Sequence, residues 1–258
     1  NEPDVLVDAY FIACFNKAKE IWEHTKGDFD PTVYPLVNAW GFGPGKKLEI
    51  EQRKIDSILE FVGFKKIKLK GNKIIKKDPR VALDFNAFAQ GYSVDVVSEF
   101  LNSKQIESYL VEIGGEVYAK GKKPNGEYWT VGIEKPIENK ESVNPINALV
   151  RLKDRGLATS GDYRKFMVEN GVKYAHTMSP KTGYPVKNYL LSVTLFSGDA
   201  ITADAMATGI MVMGLEKAKV FLKKHKELQA YMIYSDDNGN YQVYETKGLK
   251  DIITEVTQ

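Results

Sequence analysis

Hydrophobic positions along the chain follow helical spacing in some stretches and strand spacing in others, without a regular alternation of the two. Residues 4–24 and 50–60 carry apolar side chains at helical spacing. Residues 65–78 alternate apolar and polar side chains on both sides of a Gly-Asn pair, which predicts a β-hairpin. Residues 80–104 predict a strand that ends at Asp84 and runs into a helix.

The second half of the chain is richer in strand patterns. Short alternating runs predict strands over 108–120, 128–134, 147–153 and 189–197. Residues 199–225 predict one helix, or two that are broken near Gly214, and residues 228–245 predict a hairpin that turns at Asp-Asp-Asn-Gly-Asn. These patterns predict an α+β fold with mostly antiparallel sheet.

Composition narrows the class of protein. The chain has 258 residues, of which 43% are hydrophobic, which is enough for a sizeable core. The formal charge of +2 gives no indication of nucleic-acid binding, and a single cysteine, Cys14, excludes an internal disulfide framework. No apolar run approaches the length of a transmembrane span. Because the chain has no initiator Met and no signal-like segment, we expect that a targeting segment has been lost.

The stretch Asp-Ala-Ile-Thr-Ala-Asp-Ala-Met-Ala-Thr at residues 199–208 is a candidate metal site. Asp204 and Thr208 are four positions apart on the predicted helix, so their oxygens lie on one face. Magnesium takes such ligands and completes its coordination with water and phosphates. The alternative is that Asp204 caps a helix and Thr208 bonds back to the helix backbone.

Four other polar or glycine-rich stretches lie at strand ends or helix starts, where chemistry is often found. Around Gly91, backbone amides at a helix start could hold an anion, or the stretch is a plain strand-to-helix turn. Gly114 and Gly115 interrupt a strand pattern, which indicates a bulge or the close approach of a ligand. Thr159 to Tyr163 offer hydroxyls and amides, although an Asx or Ser turn explains most of them.

His176 is the fourth of these features. It is one of three histidines and enters a Pro- and Gly-punctuated loop, Tyr-Ala-His-Thr-Met-Ser-Pro-Lys-Thr-Gly-Tyr-Pro-Val. In such a turn it can carry a proton, bind a phosphate or have a structural role.

In this order and spacing the stretches resemble the ApbE family of FAD:protein FMN transferases. The resemblance covers nearly the whole chain and includes six segments: GDFDPTVYPLVNAWGFG, LDFNAFAQGYSVD, LVEIGGEVYAKG, LATSGDYRKF, YAHTMSPKTGYPV and DAITADAMATGIMVMG. It implies a single ApbE-type domain over residues 1–258, from which an N-terminal family segment is missing. It also implies two intertwined sub-structures that enclose an FAD cleft.

The resemblance further implies that the protein binds FAD and Mg²⁺, cleaves the FAD pyrophosphate and attaches FMN to a threonine of an acceptor protein. By implication the metal ligands are Asp204, Thr208 and the carbonyl of Ala87, and His176 is catalytic. The implied nucleotide-binding residues lie in the glycine-rich stretches and around His176: Asn86, Ala87, Gln90, Gly91, Glu112, Gly114, Gly115, Ser160, Gly161, Asp162, Tyr163 and His176.

The chain departs from the family pattern at two positions. Gln90 stands where a lysine is frequent, and Ser179 stands where an aspartate is usual. Two other functions stay open at this point: hydrolysis of FAD to FMN and AMP, and flavin binding without turnover.

Family resemblance also implies partners and a location. The acceptors would carry a D-x-x-[ST]-G-A-[ST] motif, as in subunits of Na⁺-translocating NADH:quinone reductase or Rnf-type complexes. We expect no nucleic-acid partner and no transmembrane span in this chain. The implied location is the periplasmic side of a bacterial inner membrane, with the full-length protein a lipid-anchored lipoprotein.

Overall fold

The structure is a computed structural model that describes residues 5–45, 47–136, 146–162, 166–169, 172–187 and 189–256; for 166–169 and 172–174 only the backbone is described. The chain divides into two compact units, and each unit is built from two separate segments. The first unit comprises Asn1–Ala87 and Phe166–Lys187, and the second comprises Phe88–Lys165 and Asn188–Gln258.

The first unit combines three helices with two small hairpins. Its elements are α1 (Ala9–His24), α2 (Tyr34–Ala39), α3 (Gln52–Leu59), β1 (Ile67–Lys70), β2 (Lys73–Lys76), β8 (Phe166–Glu169) and β9 (Val172–Ala175). The Asp8 carboxylate begins α1 by accepting a hydrogen bond from the Phe11 amide at 2.8 Å. β1 pairs with β2, and β8 pairs with β9, both antiparallel.

A buried aspartate in the first unit ties two loops together. Asp30 accepts hydrogen bonds from the Thr32 amide at 2.9 Å and the Phe64 amide at 2.9 Å. The Thr32 hydroxyl also donates to Asp30 and accepts from the Gly63 amide. Burial raises the pKa of Asp30 above its ordinary value, although these hydrogen bonds oppose the shift. The Asp-Pro-Thr sequence therefore fixes the loop that follows α3.

The second unit contains a six-stranded antiparallel sheet in the order β12-β11-β10-β7-β4-β3. Its strands are β3 (Tyr109–Ile113), β4 (Glu116–Lys120), β7 (Arg155–Gly161), β10 (Leu190–Ser197), β11 (Gln229–Ser235) and β12 (Tyr241–Glu245). A three-stranded antiparallel sheet has the order β13-β6-β5, with β5 (Trp129–Glu134), β6 (Ile146–Leu152) and β13 (Ile253–Glu255).

The larger sheet of the second unit has a different layer on each face. Buried side chains of both sheets, including Val117, Val150 and Leu157, form one hydrophobic cluster between them. The opposite face contacts α4 (Ala89–Ser103) and α5 (Ala200–Met213), where Val94, Tyr109 and Ala200 share a second cluster. Because successive side chains of a strand alternate between faces, Glu116 and Tyr118 of β4 point to the helix side when Val117 points to the other sheet.

The helix predicted over 199–225 is two helices. α5 ends at Gly214 and α6 (Leu215–Lys224) follows at once. Gly214 has a φ of 75°, a left-handed conformation that glycine adopts without strain. The prediction of a break near Gly214 is therefore confirmed.

Most predicted elements are present, and the α+β class with antiparallel sheets is confirmed. The strand predicted to end at Asp84 is wrong, because residues 81–85 belong to no strand; there the Asp84 amide donates to the Pro31 carbonyl at 2.9 Å. The prediction of a single ApbE-type domain over 1–258 stays a prediction. In the described part of the chain, no helix has both the length and the hydrophobicity to cross a bilayer.

Candidate functional site

Helix α5 buries most of its residues, but its three polar side chains are partly exposed. Its buried residues run from Ala200 to Met211 and include four alanines and Gly209, whereas Thr202, Asp204 and Thr208 are only partly buried. Asp204 and Thr208 lie one turn apart, so the helix presents a carboxylate and a hydroxyl on one face. The sequence prediction that both residues lie on one helix is confirmed.

The Asp204 carboxylate lies at the N-terminus of a different helix, α4. The Gly91 amide, in the first turn of α4, donates to Asp204 Oδ2 at 3.0 Å. A carboxylate at this position is favoured by the unsatisfied amides and the dipole of the helix. Asp204 therefore caps α4, which is a tertiary form of the capping role considered from the sequence.

Asp204 interacts with a second acidic group on the helix side of the larger sheet. Glu116, the first residue of β4, is 7% exposed. Burial, and then the charge of Glu116, raise the pKa of Asp204 to about 8, while the hydrogen bond from Gly91 opposes the shift. The ionised form of Asp204 is therefore less favourable here than in an ordinary exposed aspartate.

Gly114 and Gly115 form the tight turn between β3 and β4. Ile113 pairs with Glu116, which leaves a two-residue loop whose φ values are +70° and +109°. Of the two alternatives, the bulge is wrong, because positive φ at both positions of a tight turn explains the glycines; the close approach of a ligand stays a prediction. A Cβ on Gly114 would collide with the Gln90 side-chain amide, so Gln90 of α4 lies directly against this turn.

Three of the predicted nucleotide-binding residues lie at the end of β7. Ser160 pairs with Val193 and Gly161 with Ser192 of β10, so they belong to a strand and the predicted Asx or Ser turn is wrong for them. The Asp162 amide then donates to the Leu191 carbonyl at 3.1 Å. Tyr163 lies outside the described residues.

His176 lies in the first unit, directly after β9, and is partly buried. Its ring is 6.5 Å from the ring of Phe42 at an interplanar angle of 67°, an edge-to-face contact. Downstream, Met178 and Pro185 form an isolated antiparallel bridge that closes the loop. His176 is thereby held at the base of a closed turn.

The His176 turn, defined as residues 176–186, is held against the rest of the first unit by polar contacts. The Trp40 indole N–H donates to the Gly183 carbonyl at 3.0 Å, and Lys181 Nζ lies 2.6 Å from Asp28 Oδ1. Gly183 has a φ of +74°, and a Cβ there would collide with Ile55. The Ser179 hydroxyl accepts from the Thr182 amide at 3.2 Å, a turn contact that an aspartate also makes.

The remaining predicted residues are in two places. Asn86 and Ala87 lie in the turn before α4, where the Asn86 amide donates to Asp84 Oδ1 at 2.8 Å. Glu112 is an exposed residue of β3. Within the second unit, the structure therefore brings together Gln90, Gly91, Gly114 and Asp204.

Two acidic residues of this region were missed by the sequence analysis. Glu116 follows the glycine turn, and its burial depends on which face of β4 meets the helices. Asp95 accepts hydrogen bonds from the Ala200 and Ile201 amides, both at 2.8 Å, across 105 and 106 positions of sequence. Burial raises the pKa of Asp95 to about 6, and the charges of Asp199 and Glu99 add to the rise.

The described ranges contain no group of three His, Cys, Asp or Glu side chains that could hold a metal ion. A site built on Asp204 would therefore take its other ligands from Thr208, from backbone carbonyls, and from water or substrate. Magnesium binds in this way when phosphates complete its coordination.

Comparison with known proteins identifies relatives over almost the whole chain. The ApbE family model matches residues 1–232. The FAD:protein FMN transferase of Haemophilus influenzae is 40% identical over 242 residues, which cover 91% of this chain and 69% of that protein.

Solved structures give the same relationship. The flavin transferase ApbE from Vibrio cholerae matches with a TM-score of 0.85 and 34% identity, covering 98% of this chain and 79% of that one. The apo form of Pseudomonas stutzeri flavinyl transferase ApbE matches with a TM-score of 0.85 and 29% identity, covering 97% and 77%. The chain therefore belongs to the ApbE family.

Proposed function

We propose that this protein is a Mg²⁺-dependent FAD:protein FMN transferase. The names of its relatives support the transfer of FMN from FAD to a protein. The single structural observation that carries the proposal is the Asp204 carboxylate, partly exposed on a mostly buried helix and placed against the N-terminus of α4.

Asp204 and Thr208 would hold the metal ion, with the Ala87 carbonyl as the third protein ligand that family resemblance implies. The donor chemistry fits: all three are oxygens, as Mg²⁺ prefers. The charge fits as well. Burial and the charge of Glu116 raise the pKa of Asp204 because they disfavour its ionised form, and a bound divalent cation would offset the negative charge of that form. When bound, Mg²⁺ supplies positive charge to the FAD pyrophosphate and to the AMP that leaves.

The polypeptide itself would bind the nucleotide and move a proton. The acceptor threonine oxygen forms a bond to the FMN phosphorus, the bond from that phosphorus to the AMP oxygen breaks, and the threonine proton goes to a base. We assign the base to His176, whose ring is held by Phe42 and by the closed turn.

Nucleotide binding would involve the residues around the α4 N-terminus and the glycine turn. Gln90 lies against Gly114 and is neutral, so it can orient a phosphate by hydrogen bonding but adds no charge. The Gly91 amide already donates to Asp204, so its own part is to let α4 approach α5. Ser160, Gly161, Asp162, Tyr163 and Glu112 stay predictions for the flavin side.

The proposal extends to partners and location. The acceptor would be a protein with a D-x-x-[ST]-G-A-[ST] motif, such as subunits of Na⁺-translocating NADH:quinone reductase or Rnf-type complexes. The enzyme would act on the periplasmic side of a bacterial inner membrane, held there as a lipoprotein. Family resemblance alone supports these two assignments.

The test is incubation of the protein with FAD, Mg²⁺ and an acceptor fragment, followed by intact-mass measurement of the fragment. We expect one FMN added per fragment, no addition when the acceptor threonine is replaced by valine, and no addition in EDTA. AMP release without a mass change would assign FAD hydrolysis instead. Tight FAD binding without AMP release under any metal would assign a flavin-binding protein.

A further inference from the structure

Helices α4 and α5 cap each other. The Gly91 amide in the first turn of α4 donates to Asp204 of α5 at 3.0 Å. In return, the first two amides of α5, those of Ala200 and Ile201, donate to Asp95 Oδ1 and Oδ2 at 2.8 Å each. Each helix therefore carries, within its first two turns, a carboxylate that binds first-turn amides of the other.

The packing at this contact leaves little room for adjustment. A Cβ on Gly91 would lie 2.5 Å from the Ala200 carbonyl oxygen and 2.8 Å from Asp204 Cβ, so only glycine fits there. Ala200 and Ala203 are fully buried. Since Gly91 meets Asp204 while Asp95, four residues later, meets Ala200, the two helices run antiparallel through the contact.

Helix α5 also has an ordinary cap of its own. Asp199, its N-cap residue, accepts from the Thr202 amide at 2.8 Å. The N-terminus of α5 therefore has a capping residue other than Asp95. What the two Asp95 hydrogen bonds add is a fixed position of α5 relative to α4.

We propose that Asp95 is a positioning residue for the metal-binding carboxylate: by anchoring the first two residues of α5 to α4, it sets where Asp204 and Thr208 stand against the α4 N-terminus. Asp95 acts through the α5 backbone. The inference rests on the proposed function, because it takes Asp204 and Thr208 as the metal ligands.

The test compares Asp95→Ala and Asp95→Asn with Asp199→Ala, which also removes a carboxylate cap from α5 but leaves the tie to α4. Mn²⁺ is titrated into each FAD-bound protein, and free Mn²⁺ is followed by electron paramagnetic resonance. The Mg²⁺ dependence of transfer is measured in parallel, which separates metal affinity from kcat at saturating metal.

We expect Asp95→Ala to raise the Mn²⁺ dissociation constant by about 10-fold or more, the usual scale for residues that orient metal ligands. Its kcat at saturating Mg²⁺ should change less. Asp95→Asn, whose single side-chain oxygen can accept one of the two amides, should give a smaller rise, and it tests the proposal if Asp95→Ala does not fold. Asp199→Ala should stay within about 2-fold of wild type.

Two outcomes would overturn the inference, and they differ from a failure of the proposed function. A rise in Asp95→Ala or Asp95→Asn no larger than that in Asp199→Ala would make Asp95 an ordinary cap. An unchanged metal dependence combined with a lower kcat would mean that Asp95 does not act on metal binding. If the wild-type protein itself binds no Mn²⁺ and transfers FMN without Mg²⁺, the metal assignment fails, and this inference fails with it.

Discussion

The α4–α5 pair of the second unit and the His176 turn of the first unit are held by different kinds of interaction. The helix pair relies on partly buried carboxylates, Asp95 and Asp204, which accept hydrogen bonds from backbone amides. The His176 turn relies on neutral contacts, such as the Trp40 indole bonded to the Gly183 carbonyl, and on an ion pair whose Lys181 side chain is 52% exposed.

The two regions therefore respond differently to charge. Buried carboxylates destabilise a fold when their charge is uncompensated, as the raised pKa values of Asp95 and Asp204 indicate. Neutral hydrogen-bonded groups cost less free energy to bury than charged groups do, but they offer a substrate no charge to bind. Under the proposed function, the helix pair would hold the cation, and the His176 turn would hold the base that accepts the proton.

The largest expected effect is the loss of transfer in Asp204→Asn. The amide oxygen can still accept from Gly91, so the helix cap is kept while the charge is lost. Since a catalytic metal stabilises charge by several kcal/mol, we expect the transfer rate at fixed Mg²⁺ to fall by about 1000-fold. Urea unfolding should show that the fold is retained.

Thr208→Val serves as the matched comparison for Asp204→Asn. It keeps the shape of the side chain and removes only a neutral oxygen ligand, so its effect on transfer should be smaller. An active Asp204→Asn protein, or greater damage in Thr208→Val, would contradict the assignment of Asp204 as the main metal ligand.

The second prediction concerns the His176 turn. If His176 accepts the threonine proton, His176→Asn should lower the transfer rate by about 100-fold while FAD affinity stays near normal. His24→Asn, at an exposed histidine of α1, is the control. FAD affinity is measured by calorimetric titration. Loss of affinity together with rate would instead make His176 a donor to the pyrophosphate, and no change would make it structural.

The third prediction tests how tightly the helix pair is packed. Gly91→Ala places a methyl group 2.5 Å from the Ala200 carbonyl oxygen, so it should lower the free energy of unfolding by about 2 to 3 kcal/mol. Gly198→Ala is the control, because a Cβ there meets nothing within 4 Å. Equal stability of the two variants in urea unfolding would contradict this prediction, because it would mean that α4 and α5 move apart at little cost in free energy.

The sequence predicted local features of both regions better than contacts between distant residues. The glycine break at 214, the 65–78 hairpin and the helix that holds Asp204 and Thr208 follow from periodicity and turn chemistry. The hydrogen bonds from Ala200 and Ile201 to Asp95 join residues more than 100 positions apart, and no local pattern predicts them. Such contacts depend on how helices pack after the elements form.

One strand prediction and one turn prediction show the same limit. The apolar run that ends at Asp84 has strand periodicity, yet the Asp84 amide bonds to Pro31 in a loop. Ser160 and Gly161 look like turn residues, yet they pair with β10 in a central strand of the sheet. In both cases the available pairing partner, rather than the local propensity, decided the outcome.

The smallest expected effect is a difference in pH dependence between the two regions. Burial raises the pKa of Asp95 to about 6 in the folded protein, above the ordinary aspartate value of about 4. Ionising Asp95 therefore costs more in the folded state than in the unfolded one. Its stabilising contribution is complete below about pH 4 and declines as pH rises through about 6.

The free energy of unfolding of wild type relative to Asp95→Asn should fall by about 2 kcal/mol over that interval, allowing for partial solvent access. The measurement is urea unfolding in EDTA at pH 4, 5, 6 and 7. Trp40→Phe is the control from the His176 turn: it removes the indole donor to Gly183 and should cost about 1 kcal/mol at every pH, because neither group titrates. A pH-independent difference for Asp95→Asn, or a pH-dependent one for Trp40→Phe, would contradict the contrast between the carboxylate caps of the helix pair and the neutral Trp40–Gly183 contact of the turn.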